Sequence, residues 1–222
     1  LFVENDNVYM KTVKGPLKVD CIYRRLDDNF LDPKAFNKDS LIGVPGLFKC
    51  WLKKNVGIVN AIGTGVADDK VVYSYVNKMI VYYLGEQPAL NQVETYLCHD
   101  KIQRDYVLEN MSKLVVKPAN ASGGYGIMIG PKASTKEREE VAQKIKKNPR
   151  EYIAQPLETL STAPTITEKN IEPRHLDLRP FVLSGKTSYV TTGGLTRVAL
   201  RKGSTIVNSS QGGGSKDTLI VE

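Results

Sequence analysis

The sequence predicts an α+β fold built from two subdomains, and three observations carry that prediction. Helix-like and strand-like periodicities alternate up to residue 158. Beyond residue 173 the pattern turns to strands punctuated by turn residues, with no helical period. The run LVVKPANASGGYGIMIG at residues 114–130 places a small-residue loop between two short apolar stretches, which reads as strand, flexible loop, strand. Helices concentrated in one part of a chain and strands in another are the pattern of an α+β protein. The boundaries fall at 1–66, an α/β segment; 67–158, which holds the glycine loop; and 159–222, the strand-rich part.

Residues 8–13 and 19–23 have strand character, and Glu4-Asn5-Asp6-Asn7 ahead of them reads as a turn between strands. Gly43-Val44-Pro45-Gly46 is a breaker cluster before a short apolar segment around Trp51. Residues 57–61 read as a buried strand ended by Gly63-Thr64-Gly65. A helix follows, capped by Asp68 or Asp69, with Val72, Tyr75, Val76, Met79, Ile80 and Tyr83 at spacings of three to four. A second helix covers residues 100–110. Past the glycine loop, Ser134-x-x-Glu137 is a capping box that opens a third helix, with Val141 and Ile145 on one face. Residues 152–155 form a short strand closed by Pro156. The Thr- and Pro-rich stretch 159–173 reads as a loop or subdomain connection. Strands are expected at 178–183, 188–192, 195–200 and 205–207. Turns fall at Ser184-Gly185-Lys186, Gly193-Gly194 and Lys202-Gly203-Ser204, and 212–216 is a further small-residue loop.

Composition bounds the function. A chain of 222 residues with 41% apolar and 25% charged residues suits a soluble globular protein with a sizeable core. Its longest apolar run, 79–84, is far too short for a bilayer. Cys21, Cys50 and Cys98 are widely spaced and form no C-x-x-C pair, so neither a disulfide framework nor a cysteine zinc site is expected, and a reducing cytoplasm is the expected compartment. The net charge of +7 is spread along the chain. Its densest basic stretch, 144–150, closes a helix, where lysines complement the dipole, so nucleic acid is not an expected partner. Leu1 rather than Met opens the chain, so a processed product or a fragment is expected.

The glycine loop carries the most chemistry. A glycine loop between two strands can close over a ligand like a flap, its backbone N–H groups aimed at phosphate oxygens. Lys117, ending the first strand, adds a positive charge beside it. Dinucleotide loops and P-loops open directly into a helix, whereas here helical period begins only near Ser134. An ordinary hairpin without a ligand is the other reading of the loop.

In chain order the pieces resemble an ATP-grasp fold. They are Asp69-Lys70 opening a helix, Val116-Lys117-Pro118 ending a strand, and the flap from Ser122 to Gly126. They continue with the hinge strand Ile153-Ala154-Gln155-Pro156-Leu157-Glu158, the Asp177-Leu178-Arg179 strand, and the small polar segment from Asn208 to Ser215. The wording of IYRRLDDNFLDP, GTGVADDK, VVKPANASGGYG, RHLDLRPFVL, GGLTRVAL and NSSQGGGSKD is similar to the bacterial circularly permuted ATP-grasp proteins, glutathionylspermidine synthase-like ones among them, over nearly the whole chain.

That resemblance implies two α+β subdomains gripping a nucleotide, with 1–66 on the substrate side and 159–222 an incomplete second subdomain. It implies ATP and Mg²⁺, with Lys70 and Lys117 on the phosphates, Ser122, Gly123, Gly124, Tyr125 and Gly126 as the flap, and Gln155, Leu157 and Glu158 around adenine and ribose. Arg179 and Arg197 would stabilise an acyl-phosphate, as catalytic residues. Arg24 and Arg25 would bind a substrate carboxylate, at least one of the two being structural. Asp177 is the nearest candidate for a metal contact. The implied activity is carboxylate–amine ligation through an acyl-phosphate, with a carboxylate and an amine as partners. The family's Glu-x-Asn metal motif, set before Arg-x-Pro-Ser-Gly, is not in this chain. The resemblance therefore implies the C-terminal part of a longer protein lacking its N-terminal segment, or a non-catalytic nucleotide-binding or assembly domain.

Overall fold

The structure, a computed structural model, describes residues 1–120, 126–167, 170–205, 207–208 and 212–220. The chain divides into two compact units, Leu1–Gln92 and Val93–Glu222.

The first unit opens with an antiparallel meander of β1 (Phe2–Glu4), β2 (Asn7–Thr12) and β3 (Gly15–Lys18). Glu4 pairs with Asn7, so Asn5 and Asp6 form a two-residue turn, and both take left-handed φ values of 48° and 58°. Two consecutive positive φ angles match the twist of a hairpin, and Asn and Asp tolerate them. A parallel pair follows, β4 (Cys21–Tyr23) with β5 (Gly57–Val59), in which only Ile58 of β5 is buried. Between them lie α1 (Asp28–Leu31) and α2 (Leu47–Leu52). Gly46, the N-cap of α2, has no side chain to offer. Asp32 supplies the cap from a distance: its buried carboxylate accepts from the backbone N–H of Lys34 at 2.9 Å, Gly46 at 3.0 Å and Phe48 at 2.9 Å. Val8, Leu31, Leu47, Cys50, Val56 and Ile58 form the core of this unit.

A 3-10 turn at Thr64–Asp68 leads to α3 (Lys70–Tyr73), which Asp69 caps by accepting from the Val71 N–H at 2.7 Å. The single helix expected here is interrupted, and α4 (Val76–Leu84) is separate. The Ser74 hydroxyl donates to the Val71 carbonyl at 2.7 Å and the Tyr75 N–H reaches Val72. A serine that bonds back to the preceding turn competes with the regular ladder, and the helix breaks there. None of the α4 residues is buried.

The second unit holds two sheets. The first, ordered β6-β9-β7-β8, comprises β6 (Tyr96–Leu97), β7 (Leu114–Pro118), β8 (Met128–Ile129) and β9 (Tyr152–Pro156). The helices α5 (Lys101–Glu109) and α6 (Thr135–Lys147) bring Val107 and Ile145 into a core with Leu114, Val116, Met128 and Ala154. Asp100 caps α5, and Ser134 caps α6 as its capping box anticipates. Gly130 is compulsory: a Cβ there would lie 1.9 Å from the Met111 carbonyl oxygen and 2.6 Å from that of Leu114.

The second sheet is antiparallel in the order β10 (Thr162–Ile166), β11 (Ile171–Ser184), β12 (Ser188–Ala199), β13 (Gly213–Lys216). Three expectations are corrected here. Residues 159–173 are not simply a loop, because Thr162 to Ile166 pair with His175 to Ile171. Gly193-Gly194 is not a turn: β12 runs through it, and the register shift between Pro180 and Val182 marks a bulge. Glycine within a strand commonly marks such a bulge. Residues 212–216 are mostly strand, with Gly213 so close to the Val207 carbonyl oxygen that a Cβ would sit 2.2 Å from it. The strand expected at 205–207 includes Ile206, which lies outside the described residues. Among the described residues no helix is long and apolar enough to cross a membrane.

Candidate nucleotide site

Leu114 and Val116 of β7 face the helices, so Val115 and Lys117 project from the other side of that sheet. Val115 lies directly across from Gln155 of β9. This register puts Lys117 within reach of Gln155, and the Lys117 Nζ donates to Gln155 Oε1 at 2.5 Å. Gln155 in turn donates through Nε2 to Thr95 Oγ1 at 2.9 Å. Gln155 is buried and Lys117 half-buried, so the ammonium is held by a fixed neighbour rather than waving in solvent. β7 ends at Pro118, and the return strand begins beyond Gly126. Gly126 has φ of 71°, and a Cβ on it would meet the Pro118 ring at 3.0 Å. That conformation and that contact both demand glycine. Ser122, Gly123, Gly124 and Tyr125 lie outside the described residues. Beyond Pro156, Leu157 and Glu158 are exposed.

The remaining expected residues separate into distinct environments. Lys70 is the first residue of α3, in the first unit, and burial depresses its ammonium pKa against the pull of Asp69 and Asp68. Arg24 is buried, and its five N–H groups meet five acceptors. Nε donates to Asn60 O at 2.7 Å. The terminal nitrogens donate to Leu26 O at 3.0 Å, Asp28 Oδ1, Ala61 O at 2.8 Å and Thr64 Oγ1 at 3.2 Å. The donor set is spent on the protein itself, which leaves none for a substrate carboxylate, while the adjacent Arg25 is exposed. Arg179 is also exposed.

Arg197 and Asp177 are register partners on β12 and β11 and form a two-pronged ion pair, Nε to Oδ1 at 2.8 Å and Nη2 to Oδ2. The carboxylate raises the Arg197 pKa further above its ordinary value. Both Asp177 oxygens are therefore engaged. Among the described residues no group of three or more His, Cys, Asp or Glu side chains could hold a metal ion. Sequence reading missed Thr95, the far end of the Lys117–Gln155 chain, because no motif marks it.

Residues 1–199 match the family model for circularly permuted ATP-grasp type 2. The chain belongs to that family. Its α+β architecture agrees with the ATP-grasp assignment. Among its relatives, an uncharacterised protein of Synechocystis sp. is 55% identical over 223 residues, all of this chain and 46% of its own length. An uncharacterised Mycobacterium tuberculosis protein is 53% identical over 222 residues, again all of this chain and 40% of its own. A Frankia casuarinae protein with the provisional name glutamate–cysteine ligase 2-2 is 48% identical over 217 residues, 98% of this chain and 25% of its own. This ATP-grasp chain thus spans less than half of each of these relatives.

Proposed function

We propose that the protein is an ATP-dependent carboxylate–amine ligase and that these residues supply much of its nucleotide site. The observation that carries the reading is Lys117, fixed by Gln155 at the end of β7 where the glycine loop begins. A half-buried ammonium held at a strand end suits the phosphates of ATP. Membership of the ATP-grasp family supports an ATP-using enzyme, and a ligase is what the name of the Frankia relative says of that protein. The substrate carboxylate oxygen attacks the γ-phosphorus of ATP, ADP leaves, and an acyl-phosphate remains. The amine then attacks the acyl carbon, gives up a proton, and expels inorganic phosphate to leave an amide. Such chemistry asks for positioning and positive charge more than for side-chain acid–base work. Lys117 binds and orients the phosphates, and Arg179 and Arg25 are exposed guanidinium groups available to the acyl-phosphate and the carboxylate. No step is assigned to Mg²⁺: among the described residues no three His, Cys, Asp or Glu side chains gather to hold a metal ion.

That same observation favours a second reading, a nucleotide-binding module without turnover. ADP release by the complete protein, screened over pairs of carboxylates and amines, separates the two. Release that requires both substrates, with the acyl-phosphate trapped as a hydroxamate by hydroxylamine, supports the ligase. ATP binding without release under every pair supports the module.

A further inference from the structure

On the face of the first sheet that carries Lys117, three side chains form a hydrogen-bond chain with only one permitted direction. β6 pairs Tyr96 with Ala154, so Thr95, the residue ahead of β6, comes beside Gln155. An ammonium has donors and no acceptor, so the Lys117 Nζ can only give, and Gln155 Oε1 receives at 2.5 Å. The same amide then gives through Nε2 to Thr95 Oγ1 at 2.9 Å. The Thr95 hydroxyl keeps its own proton for the Val93 carbonyl at 3.0 Å. A carbonyl only accepts, and the chain ends there. Gln155 is thus clamped between a group that can only donate and a hydroxyl whose proton is committed. Turned over, its amide would set Nε2 against the ammonium and Oε1 against an oxygen with no proton to offer. Gln155 is 8% exposed, where water does not repair such mismatches. Thr95 is β-branched, which stiffens its χ1 and holds the hydroxyl in place.

We propose that Thr95 is a positioning residue for nucleotide binding: its hydroxyl, oriented by the Val93 carbonyl, holds the Gln155 amide with Oε1 toward Lys117 and so fixes the ammonium that meets phosphate. The proposal rests on the phosphate-binding reading of Lys117. Thr95 acts through Gln155 and Lys117 rather than on the phosphates itself. An untethered lysine side chain samples many rotamers, and binding must meet the cost of ordering them. A tether in place before the ligand arrives meets that cost in advance. An ammonium has three N–H donors, so keeping Gln155 does not bar it from phosphate. The hydroxyl therefore matters to affinity although two side chains separate it from the charge. Removing it takes away the acceptor that decides which end of the amide faces the lysine, while the charge itself stays.

The test is a double-mutant cycle of Thr95→Val and Lys117→Ala in the complete protein, with ATP affinity read by titration calorimetry and folding checked by urea unfolding. Thr95→Val should weaken ATP binding about three- to tenfold, the size of one neutral hydrogen bond. Thr95→Ser keeps the hydroxyl and should stay within about twofold of the parent. In the Lys117→Ala background, Thr95→Val should change affinity by less than about twofold, because the group it positions is gone. A threonine that merely supports the fold would cost the same factor in both backgrounds, and that result would overturn the proposal. So would a weakened Lys117→Ala beside an unaffected Thr95→Val, or a serine variant as weak as the valine one. If Lys117→Ala itself binds ATP like the parent, the phosphate reading falls and takes the proposal with it. NMR on the unsubstituted protein needs no variant. The Gln155 side-chain amide protons should show a nuclear Overhauser contact to the Thr95 methyl group, and its absence would overturn the proposal even if Thr95→Val does not fold.

Discussion

Truncating Lys117 to alanine should weaken ATP binding strongly while leaving the sheet in place. The side chain is the only part of the residue that the change removes, because the pairing of Lys117 with Ile153 across β7 and β9 is made by the backbone. Two separate losses follow. The first is structural: Gln155 Oε1 loses the donor 2.5 Å away, although Gln155 keeps its bond to Thr95. A lost bond of that kind costs about 1 kcal/mol of folding stability. The second is functional: a charge-assisted contact to phosphate is worth about 1.5–3 kcal/mol, or roughly 10- to 150-fold in affinity. Titration calorimetry with ATP reads the second, and urea unfolding of the same preparations reads the first. Gln155→Ala serves as the control, since it removes the tether but keeps the charge. It should show a larger stability loss, because the bond to Thr95 goes as well, and a smaller affinity loss. If Lys117→Ala binds ATP as tightly as the parent, the lysine does not hold phosphate and the site has been placed on the wrong side chain.

Other consequences can be checked with simpler measurements. Gly130→Ala should destabilise the second unit by about 1–3 kcal/mol, since its methyl would fall against the Met111 and Leu114 carbonyls; an unchanged urea midpoint would refute this. Burial pushes the Cys98 thiol up to about 11 and raises that of Cys50, while Cys21 is exposed. Thiolate is the reactive form, so at pH 8 Ellman's reagent should modify Cys21 rapidly and find only roughly one part in a thousand of Cys98 ionised. Reactivity at Cys98 should climb as pH rises towards 11, and three equally fast thiols at pH 8 would contradict the burial. Asp177→Ala should cost about 1–2 kcal/mol by leaving the partly buried Arg197 guanidinium without its two-pronged partner, measured by thermal unfolding. Residues 1–222 with ATP and Mg²⁺ should bind nucleotide without releasing ADP, whereas the complete protein releases it; turnover by these residues alone would mean that a metal site has been overlooked.

What was legible in the sequence was local. Ser134 and Glu137 announce α6 because a cap and its partner lie within one turn. Asn5-Asp6 announces its hairpin because both residues tolerate positive φ. Val116-Lys117-Pro118 announces a strand end because proline stops the ladder. The misreadings arose where a strand is made by its partner rather than by its own residue types. Thr162 to Ile166 is polar and proline-bearing, and it becomes a strand only through its ladder with Ile171 to His175. Gly213-Gly214 looks like a loop until the close approach of Val207 shows why nothing larger fits. The site divides in the same way. Lys117 could be chosen from its place at the end of an apolar run. Thr95 could not, because it meets Gln155 across 60 residues of chain and only the strand register brings them together.

Arg24 shows how a residue whose donors are all engaged within the protein can imitate a ligand contact. β4 and β5 form a parallel ladder three residues long, which by itself holds little. The Arg24 guanidinium continues that ladder with side-chain bonds to Asn60, Ala61 and Thr64, across 36 to 40 residues of chain. Thr64 starts the 3-10 turn that runs into Asp69, and Asp69 sets the first turn of the helix that begins with Lys70. A genetic screen for loss of activity would therefore recover Arg24 variants alongside true ligand contacts. Lysine, with three donors on a single nitrogen, could not reproduce the fan of five bonds. Such variants would be told apart by their folding stability, because the lesion is in the scaffold that delivers the helix rather than in the chemistry at its end.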